Sequence, residues 1–247
     1  MIPEEFALTA LIFIAATLYS SVGHAGASGY LAAMALLGLA PEAMRSAALA
    51  LNVLVASLAT YRYTRAGQND IKLLIPFVGT SIPAAFIGGM INVPGAFYKP
   101  LIGIVLVFSA AHLLWTVRKS KQKDHAVQPP PLPAALATGT GLGLLAGLSG
   151  TGGGIFLSPL LLFMGWAPTR HVSGIAASFI LVNSISGLLG NVSSVYALPT
   201  ALPLWAIAAL LGGLLGTHLG TRTLSVPGIR IMLAMVLIIA GGKMLLT

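Results

Sequence analysis

The sequence predicts an all-α, polytopic membrane helix bundle of two inverted repeats, each a broken or re-entrant helix pair plus three transmembrane spans. Three observations predict it. Hydrophobic residues fill 57% of the 247 positions and charged residues only 7%, against about 25% charged in a typical soluble domain. So few charges cannot cover a water-facing surface, and lipid must be the solvent for much of the chain. Apolar residues also run on without period-two alternation, as from Leu101 to Leu114. That excludes barrel strands and leaves helices, because only these two structures satisfy their backbone in a bilayer. Finally, glycine-rich interruptions fall at matching places in the two halves.

Apolar segments lie at 6–22, 29–40, 46–64, 71–92, 96–117, 133–149, 154–167, 172–190, 198–220 and 227–246. A span needs about 20 residues. The segments 46–64, 71–92, 96–117, 172–190, 198–220 and 227–246 reach or approach that length. The other four form two pairs, each a longer run, a glycine-rich break and a shorter run. Between the halves, Arg118 to Pro133 carries basic residues and the run Pro129-Pro130-Pro131, which reads as an exposed linker. This gives a first repeat over 1–117, a cytoplasmic linker over 118–132 and a second repeat over 133–247. Gly38-Leu39-Ala40-Pro41 matches Gly165-Trp166-Ala167-Pro168 at an offset of 127, and Val93-Pro94-Gly95 matches Val226-Pro227-Gly228 at an offset of 133. Internal duplication is the simplest account.

Charge decides how the broken pairs thread. If both cross fully, the basic residues split eight against five. If both turn back, one side holds Arg62, Arg65, Lys72, Arg118, Lys119, Lys121, Lys123, Arg170, Arg222 and Arg230, and the other only Arg45, Lys99 and Lys243. The second split obeys the positive-inside rule far better. It puts both termini outside, the linker inside, and the second half upside down relative to the first.

The first break contains Ser20, Ser21, Gly23, His24, Gly26 and Ser28; the second contains Ser149, Gly150, Thr151, Gly152, Gly153 and Gly154. Non-helical backbone at membrane depth persists only where protein or a watery cavity satisfies it. Each break precedes a short helix whose N-terminus aims free N–H groups and a positive dipole end at it. Glycine permits close backbone approach to a ligand, and the hydroxyls add donors. The expectation is a neutral cradle for an anion, with no lysine or arginine at that depth. The stripes Gly139, Gly143, Gly147 and Gly212, Gly216, Gly220 recur every four residues and read instead as helix-packing faces.

Asn52, Asn183 and Ser186 are the other polar candidates within spans, as ligand groups or as interhelical hydrogen bonds. Three roles are open to His24: substrate contact, proton carriage near neutral pH, or a structural hydrogen bond. His112 and His218 read as packing or interfacial residues. All five carboxylates, Glu4, Glu5, Glu42, Asp70 and Asp124, lie at ends or loops, which leaves a carboxylate proton relay or sodium site without support. There is no cysteine, no zinc-protease motif, no nucleophile elbow and no phosphate-binding loop. No catalytic residue, metal or cofactor is expected, and the basic balance, spread through loops, does not indicate nucleic acid.

Gly150-Thr151-Gly152-Gly153-Gly154-Ile155-Phe156-Leu157-Ser158-Pro159 resembles the glycine-rich signature of the TauE/SafE sulfite-exporter family. Ala177-Ser178-Phe179 and Asn183-Ser184-Ile185-Ser186-Gly187 are similar to its following helix, and the stripe from Gly212 to Gly220 also fits. The first half departs from the pattern: Gly23-His24-Ala25-Gly26 lacks the triple glycine. The resemblance implies a multi-pass permease of a prokaryotic inner membrane that moves a small sulfur oxyanion or sulfonate, such as sulfite. Its expected partners are that anion and the lipid bilayer, and a homo-oligomer is allowed. A passive anion channel is the alternative; it calls for a continuous polar pore lining, whereas the polar residues here cluster at two breaks.

Overall fold

A computed structural model of the chain describes residues 3–118, 129–192 and 198–221, together with 234, 235, 237, 238, 241, 242 and 244–246. Nine described helices follow one another: α1 (Pro3–Ser20), α2 (Ala27–Leu36), α3 (Pro41–Arg65), α4 (Ile71–Met90), α5 (Gly95–Arg118), α6 (Leu132–Ser149), α7 (Gly154–Phe163), α8 (Thr169–Gly190) and α9 (Leu202–Thr221). The described residues from 234 to 246 are helical too, and no strand occurs among the described residues. Most of the linker and much of the segment 227–246 lie outside them.

Six of these helices are long and apolar enough to cross a membrane: Pro41–Arg65, Ile71–Met90, Gly95–His112, Leu132–Ser149, His171–Gly190 and Leu202–Thr221. The two short apolar helices, α2 and α7, have 10 residues each. At 1.5 Å per residue each is about 15 Å long, half a bilayer core. Large apolar side chains such as Ile75, Phe86, Ile104, Ile207 and Leu215 stand exposed on the long helices, as they must where the solvent is lipid.

Local chemistry sets the helix ends. Asp70 caps α4, its Oδ1 accepting from the Leu73 N–H at 3.1 Å. The duplicated Gly-x-Ala-Pro motif marks one structural event in both halves. Gly38 and Gly165 take left-handed conformations, and Gly38 N–H donates to Ala35 O while Leu39 N–H donates to Met34 O. Gly165 N–H and Trp166 N–H repeat that pair on Leu162 O and Leu161 O. This double bond ends a helix. Pro41 then opens α3, and Pro168 directly precedes α8. The α3 helix begins at Pro41 rather than 46, because the charge at Arg45 interrupts the hydropathy but not the helix.

The two glycine stripes seat two parallel helix pairs. Gly139, Gly143 and Gly147 of α6 lie against the Phe77, Ser81 and Ala85 carbonyls of α4, and a Cβ at any of them would strike those oxygens. Gly212, Gly216 and Gly220 of α9 lie in the same way on the Phe13, Thr17 and Ser21 carbonyls of α1. Numbers rise together in both pairs, so α6 runs with α4 and α9 with α1. The α8 helix also runs with α4: Ser186 Oγ donates to Ile82 O at 2.6 Å and Gly190 abuts Phe86 O. It runs against α3, where Asn191 donates to Ser46 Oγ at 3.0 Å, Asn52 approaches Ser184, and Ala177 packs near Ala59 and Tyr63. Thus α4, α6 and α8 point one way. The helices α1, α3 and α9 point the other, with Val55 against Gly213 and Tyr63 against Gly220 along the parallel α3–α9 pair.

These directions constrain the broken pairs. Since α6 and α8 start at the same end of the bundle, the stretch from α6 through α7 leaves that end and returns to it. Since α1 and α3 start together at the opposite end, the stretch from α1 through α2 does the same from the other side.

Candidate functional site

The first break is built by the way α1 stops. Gly23 adopts φ +81°; its N–H donates to Ser20 O, and the His24 N–H donates to Tyr19 O. This terminating motif sets His24 one residue past the left-handed glycine and turns it inward. Tyr63 Oη braces the break by donating to Ser20 O at 2.9 Å. Gly26, at φ +111°, then starts α2.

The second break is held by side chains from the first half. Gly150 ends α6 with φ +81°, and Gly153 starts α7 with φ +77°. Asn52 Nδ2 donates to Thr151 O at 3.2 Å and to Ser184 Oγ at 3.4 Å. Tyr98 Oη donates to Ser149 O at 3.1 Å. Arg45, only 4% exposed, packs beside Gly150. Its guanidinium donates to Gly147 O at 2.9 Å, Ile91 O at 2.8 Å, Gly88 O at 2.5 Å and Gly89 O at 2.7 Å. This corrects the expectation that no basic residue lies near the breaks. The carbonyl-rich end of α4 attracts a cation, and no apolar side chain could satisfy these four acceptors, three of them buried.

The breaks touch. His24 Nε2 lies 3.2 Å from Gly154 O and 3.1 Å from Ser158 Oγ, the latter one turn along α7. Because a carbonyl only accepts, Nε2 carries the hydrogen and the Ser158 hydroxyl shares it as a second acceptor. Helix α5 lines the same place: Ser109 Oγ stands 3.1 Å from Ser28 Oγ, the His112 ring centroid 5.8 Å from that of His24, and the Phe108 centroid 4.9 Å from that of Phe156. All these polar groups are buried. The starts of α2 and α7 therefore converge at one level of α5.

Among the sequence-predicted candidates, Ser20, Gly23, His24, Gly26, Ser28, Ser149, Gly150, Thr151, Gly152, Gly153, Gly154 and Asn52 gather at or beside the breaks. Most hydroxyls are engaged there. Ser149 Oγ donates to Leu145 O at 2.7 Å and lies 2.8 Å from Thr151 Oγ1, so Thr151 donates to Ser149. Ser21 bonds within its own helix, to Leu18 O at 2.7 Å. Ser20 Oγ alone of the break hydroxyls is buried with no partner among the described residues. Asn183 donates to Phe179 O at 2.8 Å on its own helix, and Ser186 faces α4, not the breaks. The space beside each of the break glycines is filled by protein: a Cβ would come within 2.7 Å of Ser184 Oγ at Gly152 and 2.9 Å of the Phe179 ring at Gly153. They admit neighbouring side chains and positive φ, and each break leads into a first turn whose N–H groups have no intrahelical partner.

Sequence reasoning missed Ser109, His112, Ser158, Ser184, Tyr98 and Arg45. Ser158 carried a signal, since it follows Gly154 by four residues and so shares its helix face. His112 is buried, and the ring it packs near is that of His24. Two clefts reach the region. One, of about 490 Å³, is lined by Arg45, Tyr98 and Asn191 at the end where α3 starts. The other, of about 510 Å³, is lined by His112, Trp115 and Phe156 between α5 and α7.

The chain matches the family model described as sulfite exporter TauE/SafE over residues 8–244. It is 39% identical over 243 residues to the "probable membrane transporter protein y4hK" of Sinorhizobium fredii, covering 98% of each chain. It is 27% identical over 202 residues to the "probable membrane transporter protein MJ0441" of Methanocaldococcus jannaschii, covering 76% of this chain and 73% of that one. No solved structure matches. A multi-pass helical bundle with these glycine breaks and these relatives is a membrane transporter, and the chain belongs to the TauE/SafE sulfite exporter family.

Proposed function

We propose that the chain is a secondary transporter that moves a small sulfur-containing anion, such as sulfite or an organosulfonate, by alternating access. One observation carries this reading: the starts of two half-length helices meet in the interior, joined at His24 and Gly154. Each contributes a positive dipole end and unpaired first-turn N–H groups. Paired helix ends reached from opposite sides of a bilayer form the substrate site of many secondary transporters. The Ser20 hydroxyl and the backbone donors at Gly152–Ile155 are the groups that would hold the anion. Donors of this kind bind modestly, because a desolvated charge is costly to match with neutral groups alone, and modest binding suits a cargo that must be released.

The helix directions support inverted repeats over 1–117 and 133–247, with the 118–132 linker cytoplasmic and both termini outside. Cysteines at Ser120 and Thr247 should then label from opposite faces of the membrane; labelling from one face would end this topology. The function is tested by flux into proteoliposomes across sulfite, thiosulfate, sulfate and sulfonates. A saturable flux of one or more of the sulfur anions supports the transporter. A non-saturating flux in all of them would favour a passive channel, and no flux of any would remove the proposal.

A further inference from the structure

Two imidazoles meet at the convergence point. His24 comes from the first break and His112 from α5, with ring centroids 5.8 Å apart, and they are 5% and 8% exposed. With Nε2 of His24 donating toward Gly154 O, Nδ1 is the basic nitrogen of the neutral ring. His112 also lines the cleft of about 510 Å³ between α5 and α7, which brings the pair within reach of the bundle's surface.

Few other titratable groups stand near the pair among the described residues, and one of them, Tyr63 of α3, donates to Ser20 O at 2.9 Å. Helix α1 presents Tyr19, whose ring centroid is 6.5 Å from that of His24. Helix α2 presents Tyr30, which donates to Ala25 O at 2.5 Å. Helix α7 has no titratable side chain, and the described residues from 234 to 246 have none. The buried cation on α3, Arg45, is occupied by four carbonyls. No carboxylate lies within any apolar run.

We propose that the His24–His112 pair binds one transported proton, so that anion and H⁺ cross together. This rests on the permease reading above. An anion at the neutral cradle is costly to desolvate; one protonated imidazole beside it supplies the missing counter-charge. The empty site with neutral rings and the loaded site with anion plus proton then carry similar net charge, and each can reorient across a low-dielectric barrier. Like charges this close disfavour double protonation, which sets the capacity at one. Linkage makes the effect reciprocal: the proton tightens anion binding, and the anion raises the pair's proton affinity by the same factor.

The probe is methanesulfonate, whose single charge does not change between pH 5 and 8. Full-length protein goes into proteoliposomes that trap a pH-sensitive dye, with membrane potential clamped. An inward methanesulfonate gradient at equal pH on both sides should acidify the interior, with close to one proton per anion. In detergent, methanesulfonate affinity should rise about tenfold or more from pH 8 to pH 5.5, and its addition to weakly buffered protein should take up protons. H24Q and H112Q should each lower the proton-to-anion ratio, whatever anion flux they retain; a merely structural role would leave that ratio intact. Wild-type methanesulfonate flux with no dye response would overturn the coupling and leave the permease standing, and so would an unchanged ratio in the double variant. Absence of flux and binding for every sulfur anion would overturn both.

Discussion

The two breaks do the same topological job with different chemistry. The second, from Ser149 to Gly153, is clasped from outside by Arg45, Asn52 and Tyr98, and stiffened within by the Ser149–Thr151 pair. The first, from Ser20 to Gly26, is braced by Tyr63 on Ser20 O, reaches α7 through its own His24, and packs Gly23 against the Ser173 backbone. It alone carries an imidazole. The difference teaches a division of labour. The second break is held by side chains of the opposite half; the first brings an imidazole.

The sharpest way to break this contrast is at Arg45. R45M would strand three buried carbonyls and a part-buried one, at a cost on the order of 3–5 kcal/mol. The unfolding midpoint in detergent should drop steeply. R45K should not restore it, because an ammonium cannot reproduce the planar fork that reaches both α6 and the end of α4. A wild-type midpoint for R45M would mean that the second break holds itself.

Next comes a comparison of glycines. Gly23 and Gly153 both have positive φ, so alanine strains each by about 1–2 kcal/mol. At Gly23 the new Cβ would also overlap the Ser173 backbone, which cannot step aside; at Gly153 its nearest neighbours are the Phe179 ring at 2.9 Å and Leu142 O at 3.1 Å, a milder overlap. G23A should therefore destabilise more than G153A by thermal unfolding. The reverse order would make the second break the tighter of the two.

Smaller effects test the second break itself. N52L removes the donor on Thr151 O, and T151V removes the donor on Ser149 Oγ. Each should cost about 1–2 kcal/mol and weaken anion binding in titrations, because the backbone donors lose their orientation. S21A should change stability by less than about 0.5 kcal/mol and leave flux at matched protein level intact, since Ser21 bonds only its own helix. A clear loss of flux in S21A would return that hydroxyl to the site.

Where the physics is local, the sequence showed it. Apolar runs, the glycine stripes and the two breaks are one-dimensional patterns, and the helices fall close to them. Long-range polar partners were hidden. Arg45 looked like a boundary charge because nothing in its own segment reveals that the carbonyl end of α4 lies beside it. His112 looked like a packing residue on an apolar helix, because its neighbour is 88 positions away in the chain. The break hydroxyls looked like ligand donors because sequence cannot show that Ser149, Thr151 and Ser21 spend their hydrogens within a turn of themselves.

The exchanged seating of helices bears on how the chain is made. The carbonyls of α1 wait for Gly212, Gly216 and Gly220 of α9, roughly 200 positions later. At about 5–20 residues per second, α1 stands in the bilayer for 10 seconds or more before its partner has been synthesised. The α6 helix, by contrast, emerges to find α4 already in place. Helices α6 and α8 can dock on α4 as they leave the ribosome, whereas α1 lacks its α9 partner until nearly the whole chain has been translated. A chain stopped short of α9 should therefore be a substrate for membrane quality control rather than a half-sized transporter.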